Sequence, residues 1–105
     1  MEPTVLDALT SPRRRAILRM LWDRALMAGE TAAGFDVSWP AISQNLGVLR
    51  RAGLVIERRA GTRRLYRADQ VALAPVADLL QVMWAAYLLA LKDAVEADAV
   101  RGPRS

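Results

Sequence analysis

The sequence predicts a mainly α-helical fold with one small β-hairpin, in the order α-α-α-α-β-β-α. Three observations carry that prediction. A capped amphipathic segment runs from Ser38 to a glycine stop at Gly53, arginines flank a glycine turn at 58–64, and a wide apolar stripe repeats at helical spacing from Leu73 to about Val95.

Taken in order, Thr4 to Leu9 is expected to form a short first helix. Ser11 and Pro12 then supply a cap and a first-turn proline, and Ile17, Leu18 and Leu21 recur at helical spacing as core. Arg13, Arg14 and Arg15 stand at that helix start, against its dipole. A phosphate contact, a local acidic partner and a solvated surface all stay open for them. Trp22 and Phe35 are expected inside, and Met27 is a candidate start for a short strand paired with the hairpin.

The segment SWPAISQNLGVLRRAGLVIERRAGTRRLYR, Ser38 to Arg67, is the most informative. Ser38 caps a helix, Pro40 falls in its first turn, and Ile42, Leu46 and Leu49 face inward. Trp39, Pro40, Ser43, Gln44 and Gly47 fall on the other side. Arg50 and Arg51 suit the negative end of the dipole, and Gly53 can take the left-handed conformation that ends the helix. Leu54 starts a strand, and Val55 to Arg59 and Arg63 to Arg67 flank Ala60, Gly61 and Thr62 as a hairpin. A helix with one polar face followed by a basic hairpin is a winged helix-turn-helix, and it points to DNA. A solvated basic hairpin beside an ordinary amphipathic helix is the blander alternative.

A groove reader needs this division of labour. An α-helix fits the B-DNA major groove, where a Gln or Asn amide pairs bidentately with adenine, so Gln44 is the expected base reader. Ser43 is less discriminating. Arg58, Arg59, Arg63 and Arg64 suit phosphates, which fix register without reading sequence. Ser38, Trp39, Pro40, Asn45, Arg50 and Arg51 complete the expected DNA-binding surface. Trp39 is expected either against a sugar or thymine methyl, or folded back on the preceding helix.

These residues resemble the ArsR/SmtB family of bacterial winged-helix regulators. LTSPRRRAILRML looks like that family's entry into its second helix, GETAAGFDVSWPAISQNLGVLRRAGLV like its helix-turn-helix, GTRRLYR like its wing, and LAPVADLLQVMW like the start of its long terminal helix. The resemblance implies a homodimeric transcriptional regulator, repressor or activator, whose recognition helices enter successive major grooves of an inverted-repeat operator. Three departures matter. Trp39 stands where many relatives have a small polar or basic residue, Asn45 where many have histidine, and Thr31 where the position is usually aliphatic. The chain also has no cysteine or histidine, the residues of the family's familiar metal and metalloid sites, which excludes an inherited thiolate sensor.

At 105 residues the chain is expected to form a single domain over 1–100 with a flexible tail at 101–105. No signal peptide is legible, so a cytoplasmic location is expected. The run Val82 to Leu91 reads as a buried helix, too short to cross a bilayer, for which about 20 residues are needed. The net charge of +4 is unevenly placed. Asp36 to Arg67 holds seven arginines against Asp36 and Glu57, a net +5, whereas Ala68 to Val100 holds Lys92 against five acids, a net −4. Such a field concentrates phosphate attraction on one end. An enzyme is not expected: histidine and cysteine are absent, there is one lysine, and no phosphate-cradling glycine loop is present. A winged-helix protein-interaction module is the better rival.

In the terminal segment, Val76, Leu80, Met83, Tyr87, Leu91 and Val95 follow the helical step, and Leu79, Trp84 and Leu88 widen the stripe beyond what one small core needs. A homodimer through the first and last helices is therefore expected, its interface built from Val5, Leu6, Leu9, Leu80, Met83, Trp84, Tyr87, Leu88 and Leu91. No cofactor is required. The signal stays open among a weakly bound divalent metal ion on the carboxylates Glu2, Asp7, Asp93, Glu96 and Asp98, an organic ligand near Trp84, Tyr87 and Trp22, a partner protein, and none.

Overall fold

The computed structural model describes residues 3–100, with side chains described as far as residue 97. Glu2, the side chain of Asp98 and the tail at 101–105 therefore lie outside the described residues. The chain divides into two compact units, Met1–Pro75 and Val76–Ser105.

The first unit begins with α1 (Val5–Leu9), fixed by a reciprocal cap: the Asp7 N–H donates to Thr4 Oγ1 at 3.0 Å, and the Thr4 N–H donates to the Asp7 carboxylate at 3.2 Å. In α2 (Pro12–Met20), Ser11 Oγ accepts from the Arg14 N–H at 3.3 Å and Pro12 sits at the start. The arginine run has a local use. Arg14 reaches back to the carbonyls of Ala8 (Nε, 2.8 Å) and Asp7 (Nη2, 3.0 Å), and Arg15 to that of Leu9 (Nη1, 2.7 Å). Two of the three guanidinium groups thus satisfy carbonyls that the end of α1 leaves free.

The core is the set of aliphatic residues that helical spacing singles out. Ile17, Leu18 and Leu21 meet Ile42, Leu46 and Leu49 together with Leu54 and Leu73, all of them buried. Trp22 and Phe35, expected inside, are only half-buried. The third helix, α3 (Ala28–Ala32), is a single turn started by the Glu30 carboxylate, which accepts from the Met27 N–H at 2.8 Å. Thr31 is fully buried, and its hydroxyl donates to the Met27 carbonyl at 3.0 Å, which accounts for a polar residue at this site. A six-residue loop at 33–38 leads into α4 (Trp39–Arg51), the longest helix of this unit.

Leu54 leads into β1 (Val55–Ala60), which pairs antiparallel with β2 (Arg63–Ala68) in the register Val55 to Ala68 through Ala60 to Arg63. The turn is therefore Gly61 and Thr62 alone, since Ala60 is a strand residue and not part of the loop. Gly61 has φ +67° and no non-glycine residue among those described has a positive φ, so glycine holds the first central position of the turn, as a type II′ turn requires. The strand expected at Met27 is displaced by one residue. Leu26 bridges Tyr66 through two backbone hydrogen bonds of 2.9 and 2.8 Å, while Met27 precedes α3.

The stretch predicted as one helix from Leu73 is interrupted. Asp69 caps α5 (Gln70–Leu73), a 3-10 turn follows at Ala74–Val76, and α6 runs Ala77–Val100. Pro75 has no N–H to give an α-helical ladder, so the chain takes a tighter turn before the helix restarts.

Described by itself, α6 buries Leu80 and Trp84 and half-buries Met83, whereas Leu79, Val82, Tyr87, Leu88, Leu89, Leu91 and Val95 are exposed. One correction follows. The apolar segment is longer than the run from Val82 to Leu91: Gln70–Ala97 has the length and composition to cross a membrane, by those two properties alone.

Candidate nucleic-acid interface

The outward face of α4 is set by its own cap. Ser38 Oγ accepts from the Ala41 N–H at 3.3 Å, which fixes the first turn, and the inward triad Ile42, Leu46 and Leu49 then turns Ser43 and Gln44 to solvent. Neither side chain is hydrogen-bonded among the described residues. A free amide and a free hydroxyl side by side on an exposed helix are what base-edge recognition needs.

Asn45, also expected on the DNA-binding surface, does not join them. Its Nδ2 donates to the Ala41 carbonyl at 2.8 Å, its Oδ1 accepts from Arg14 Nη1 at 3.4 Å, and it is half-buried. The amide ties α4 to α2, so its role is positional. Trp39 and Pro40 are exposed at the start of the helix. The indole Nε1 would lie 3.8 Å from a Cβ placed on Gly29, so the ring stands beside α3 while remaining 58% exposed.

The wing arginines divide by strand register. Residues directly opposite share a face, so Val55, Glu57 and Arg59 lie with Ala68, Tyr66 and Arg64, and Ile56, Arg58 and Ala60 lie with Arg67, Leu65 and Arg63. Val55, Ala68 and Tyr66 are buried, so the first face is the inner one. On it, Glu57 Oε1 pairs with Arg64 Nε at 3.1 Å and Oε2 with Arg50 Nε at 3.4 Å. One carboxylate thus links α4 to the wing. Arg58, Arg59 and Arg63 are exposed with no such partner among the described residues, and Arg51 lies along α4 beside Gly47.

Between the start of α4 and the wing is an open cleft of about 720 Å³. It is lined by Trp39 and Ser43 of α4, by Arg59, Arg64 and Tyr66 of the inner wing face, by Thr62 and Arg63 at the turn, and by Met27, Ala28 and Gly29. Sequence reasoning found the arginines and Trp39 but missed Glu57, Thr62 and Tyr66. Their signal was the register itself, because a two-residue turn at Gly61 and Thr62 places every second residue of both strands on one face.

The proposed carboxylate site is less well assembled. No group of three or more acidic, histidine or cysteine side chains comes together among the described residues. Asp7 caps α1, Glu96 lies 3.9 Å from Lys92 Nζ, and Asp93 is exposed.

A family model described as a helix-turn-helix domain matches residues 9–58, from the end of α1 into β1. The HTH-type transcriptional regulator Rv2034 of Mycobacterium tuberculosis is 40% identical over 92 residues, which cover 88% of this chain and 86% of that protein. Among solved structures, an ArsR-like transcriptional regulator from Rhodococcus sp. RHA1 matches with a TM-score of 0.65 and 31% identity, covering 89% of this chain and 88% of that one. The homodimeric winged helix-turn-helix DNA-binding domain of Mb0332 from Mycobacterium bovis matches with a TM-score of 0.65 and 33% identity, covering 74% of this chain and 72% of that one. Identity at this level over most of both partners joins a capped, outward-reading α4 to a two-stranded basic wing, and the chain accordingly belongs to the ArsR-like family of winged helix-turn-helix transcriptional regulators.

Proposed function

We propose that the chain works in the cytoplasm as a homodimer that binds an inverted-repeat operator, each α4 entering a major groove and each wing lying along the DNA backbone. The observation that carries this reading is the exposed pair Ser43 and Gln44, hydrogen-bonded to nothing among the described residues, with Ser43 lining one cleft with the wing residues Arg59 and Arg63. The homodimeric Mb0332 domain and the exposed apolar residues of α6 favour the dimer. Two-fold symmetry then puts the half-sites about 34–36 Å apart, one turn of DNA.

The test is binding of the purified chain to its own upstream intergenic DNA against scrambled DNA over a salt series. Selective binding that weakens steeply with salt is expected, because each neutralised phosphate releases counterions. Equal, salt-insensitive affinity for both duplexes would replace the reading with a protein-interaction module. The same titration with divalent metal ions tests a carboxylate signal site that includes Asp93 and Glu96. Altered operator affinity supports it, and indifference transfers the signal to an organic ligand, a partner protein or protein level.

A further inference from the structure

We infer that Arg14 and Asn45 are positioning residues for base recognition: the guanidinium of Arg14, held on the end of α1, fixes the roll of α4 through Asn45 and so sets where the Gln44 amide points. This rests on the DNA-binding reading and names what sets its sequence preference without touching DNA.

Arg14 is a donor whose direction is fixed. Its Nε donates to the Ala8 carbonyl at 2.8 Å and its Nη2 to the Asp7 carbonyl at 3.0 Å, and two such bonds orient the planar group. The other terminal nitrogen, Nη1, is thereby aimed away from α1 and donates to Asn45 Oδ1 at 3.4 Å. That distance is long for an N–H···O bond, and the charge of the guanidinium sustains the attraction across it.

Asn45 is an acceptor fixed in the same way. Its Nδ2 donates at 2.8 Å to the Ala41 carbonyl one turn earlier, which pins the side chain to its own helix. A carbonyl only accepts and a guanidinium only donates, so one orientation of the carboxamide suits both partners. Both residues are half-buried, where their contact is screened less than on the open surface.

The rest of α4 does not fix its roll as closely. Ile42, Leu46 and Leu49 pack by apolar contact, which has no direction. Arg50 and Glu57, paired at 3.4 Å, lie at the far end of the helix, and the Arg50 side chain is 52% exposed, where an ion pair contributes little. Side-chain tips lie about 5–6 Å from a helix axis, so a roll of about 10° moves the Gln44 amide by about 1 Å. A bidentate contact to a base edge is lost over that distance. Asn45 directly follows Gln44, about 100° round the helix, so what fixes the direction of one fixes the other.

The experiment measures the affinity of the full-length chain for its upstream operator and for duplexes substituted at the base pair whose preference Gln44→Ala flattens. The variants are Asn45→Ser, Arg14→Lys and the two combined. A serine hydroxyl still bonds the Ala41 carbonyl but does not reach Arg14, and a lysine has no planar fork to span α1 and Asn45. Each single variant should lower the preference at that base pair by about three- to tenfold, a large part of what one bidentate pair supplies. The double variant should lose no more than the larger single loss, because both substitutions cut one link. The melting temperature of Asn45→Ser should stay with the wild type, which separates altered aim from lost stability.

Full preference in both single variants overturns the proposal, as do losses that add in the double variant. A loss in Asn45→Ser at a different base pair, absent from Arg14→Lys, overturns it in favour of direct reading by Asn45. Should Arg14→Lys fail to fold, Asn45→Ser decides alone, since it leaves Arg14 bonded to the α1 carbonyls. Failure of the wild type to select its own upstream DNA sinks the parent reading. Selective binding that Gln44→Ala relaxes, with Asn45→Ser keeping the full preference, sinks the positioning role alone.

Discussion

Gln44 and Arg63 are both exposed and both expected on DNA, but their chemistry separates them. A carboxamide offers one donor and one acceptor at fixed spacing, which matches adenine and no other base edge equally well. Gln44→Ala should therefore flatten preference at one operator position, by about 1–3 kcal/mol between best and worst base, in titrations against singly substituted duplexes. Arg63→Ala should weaken every duplex alike and reduce the salt slope by about one. Equal losses on every sequence for both variants would refute the assignment of Gln44 as the reader. Asp7 carries a different prediction. The Thr4 side chain foremost, then its backbone N–H and the charge of Arg14, hold the Asp7 carboxyl below its ordinary value. A lowered folded value means that the ionised cap stabilises the fold above the unfolded value, about 3.9, and that this stabilisation is lost as the pH falls through the folded one. Between pH 5 and pH 3 the melting temperature of Asp7→Asn should thus fall less than that of the wild type. Parallel curves would show that the carboxylate contributes nothing to α1.

The hairpin shows how one backbone requirement governs an element. Gly61 at φ +67° lets a two-residue turn match the twist of β1 and β2. An L-residue in that region costs about 1–2 kcal/mol, so Gly61→Ala should lower stability by roughly this amount and loosen the register that aligns Arg59 with Arg64. Amide hydrogen exchange is the measurement: protection should drop in residues 57–66 and hold at Ile42, Leu46 and Leu49. Which elements the sequence disclosed follows from the same physics. The cores of α2 and α4 were legible because 3.6-residue spacing and serine caps are local signals, as was the Ser43 and Gln44 face they impose. The Leu26 bridge was one residue away from its expected place, since a single paired residue leaves no alternation to read. The break at Pro75 was masked by an apolar stripe that continues across it. The hydrogen bonds that tie Asn45 to Arg14, and Arg14 and Arg15 to the end of α1, were not legible, because only packing between helices specifies them. Leu80 and Trp84 are buried members of a stripe whose neighbours are exposed, and periodicity does not separate the two.

For the whole molecule, charge and apolarity are sorted to opposite parts of the chain. The region from Asp36 to Arg67 has a net charge of +5 and holds the reading face, while Ala68 to Val100 has a net charge of −4 and exposes a row of large apolar residues. An acidic segment suits a surface kept away from phosphates, and an apolar one suits burial between two chains. Tyr87 is 63% and Leu88 49% exposed on α6, so both can be changed without touching the core. In a two-fold interface each substitution appears twice, and the double variant Tyr87→Glu/Leu88→Glu places four carboxylates where apolar contacts are expected. The variant should sediment as a monomer at concentrations where the wild type is a dimer, with unchanged helical circular dichroism. Its affinity for an isolated half-site should match the wild type, whereas its affinity for the full inverted repeat should fall by about 10²–10⁴, the advantage that linking two binding sites confers. A variant that stays dimeric places the interface elsewhere. A wild type that is monomeric in solution and partitions into lipid vesicles would instead assign the exposed face of α6 to a membrane.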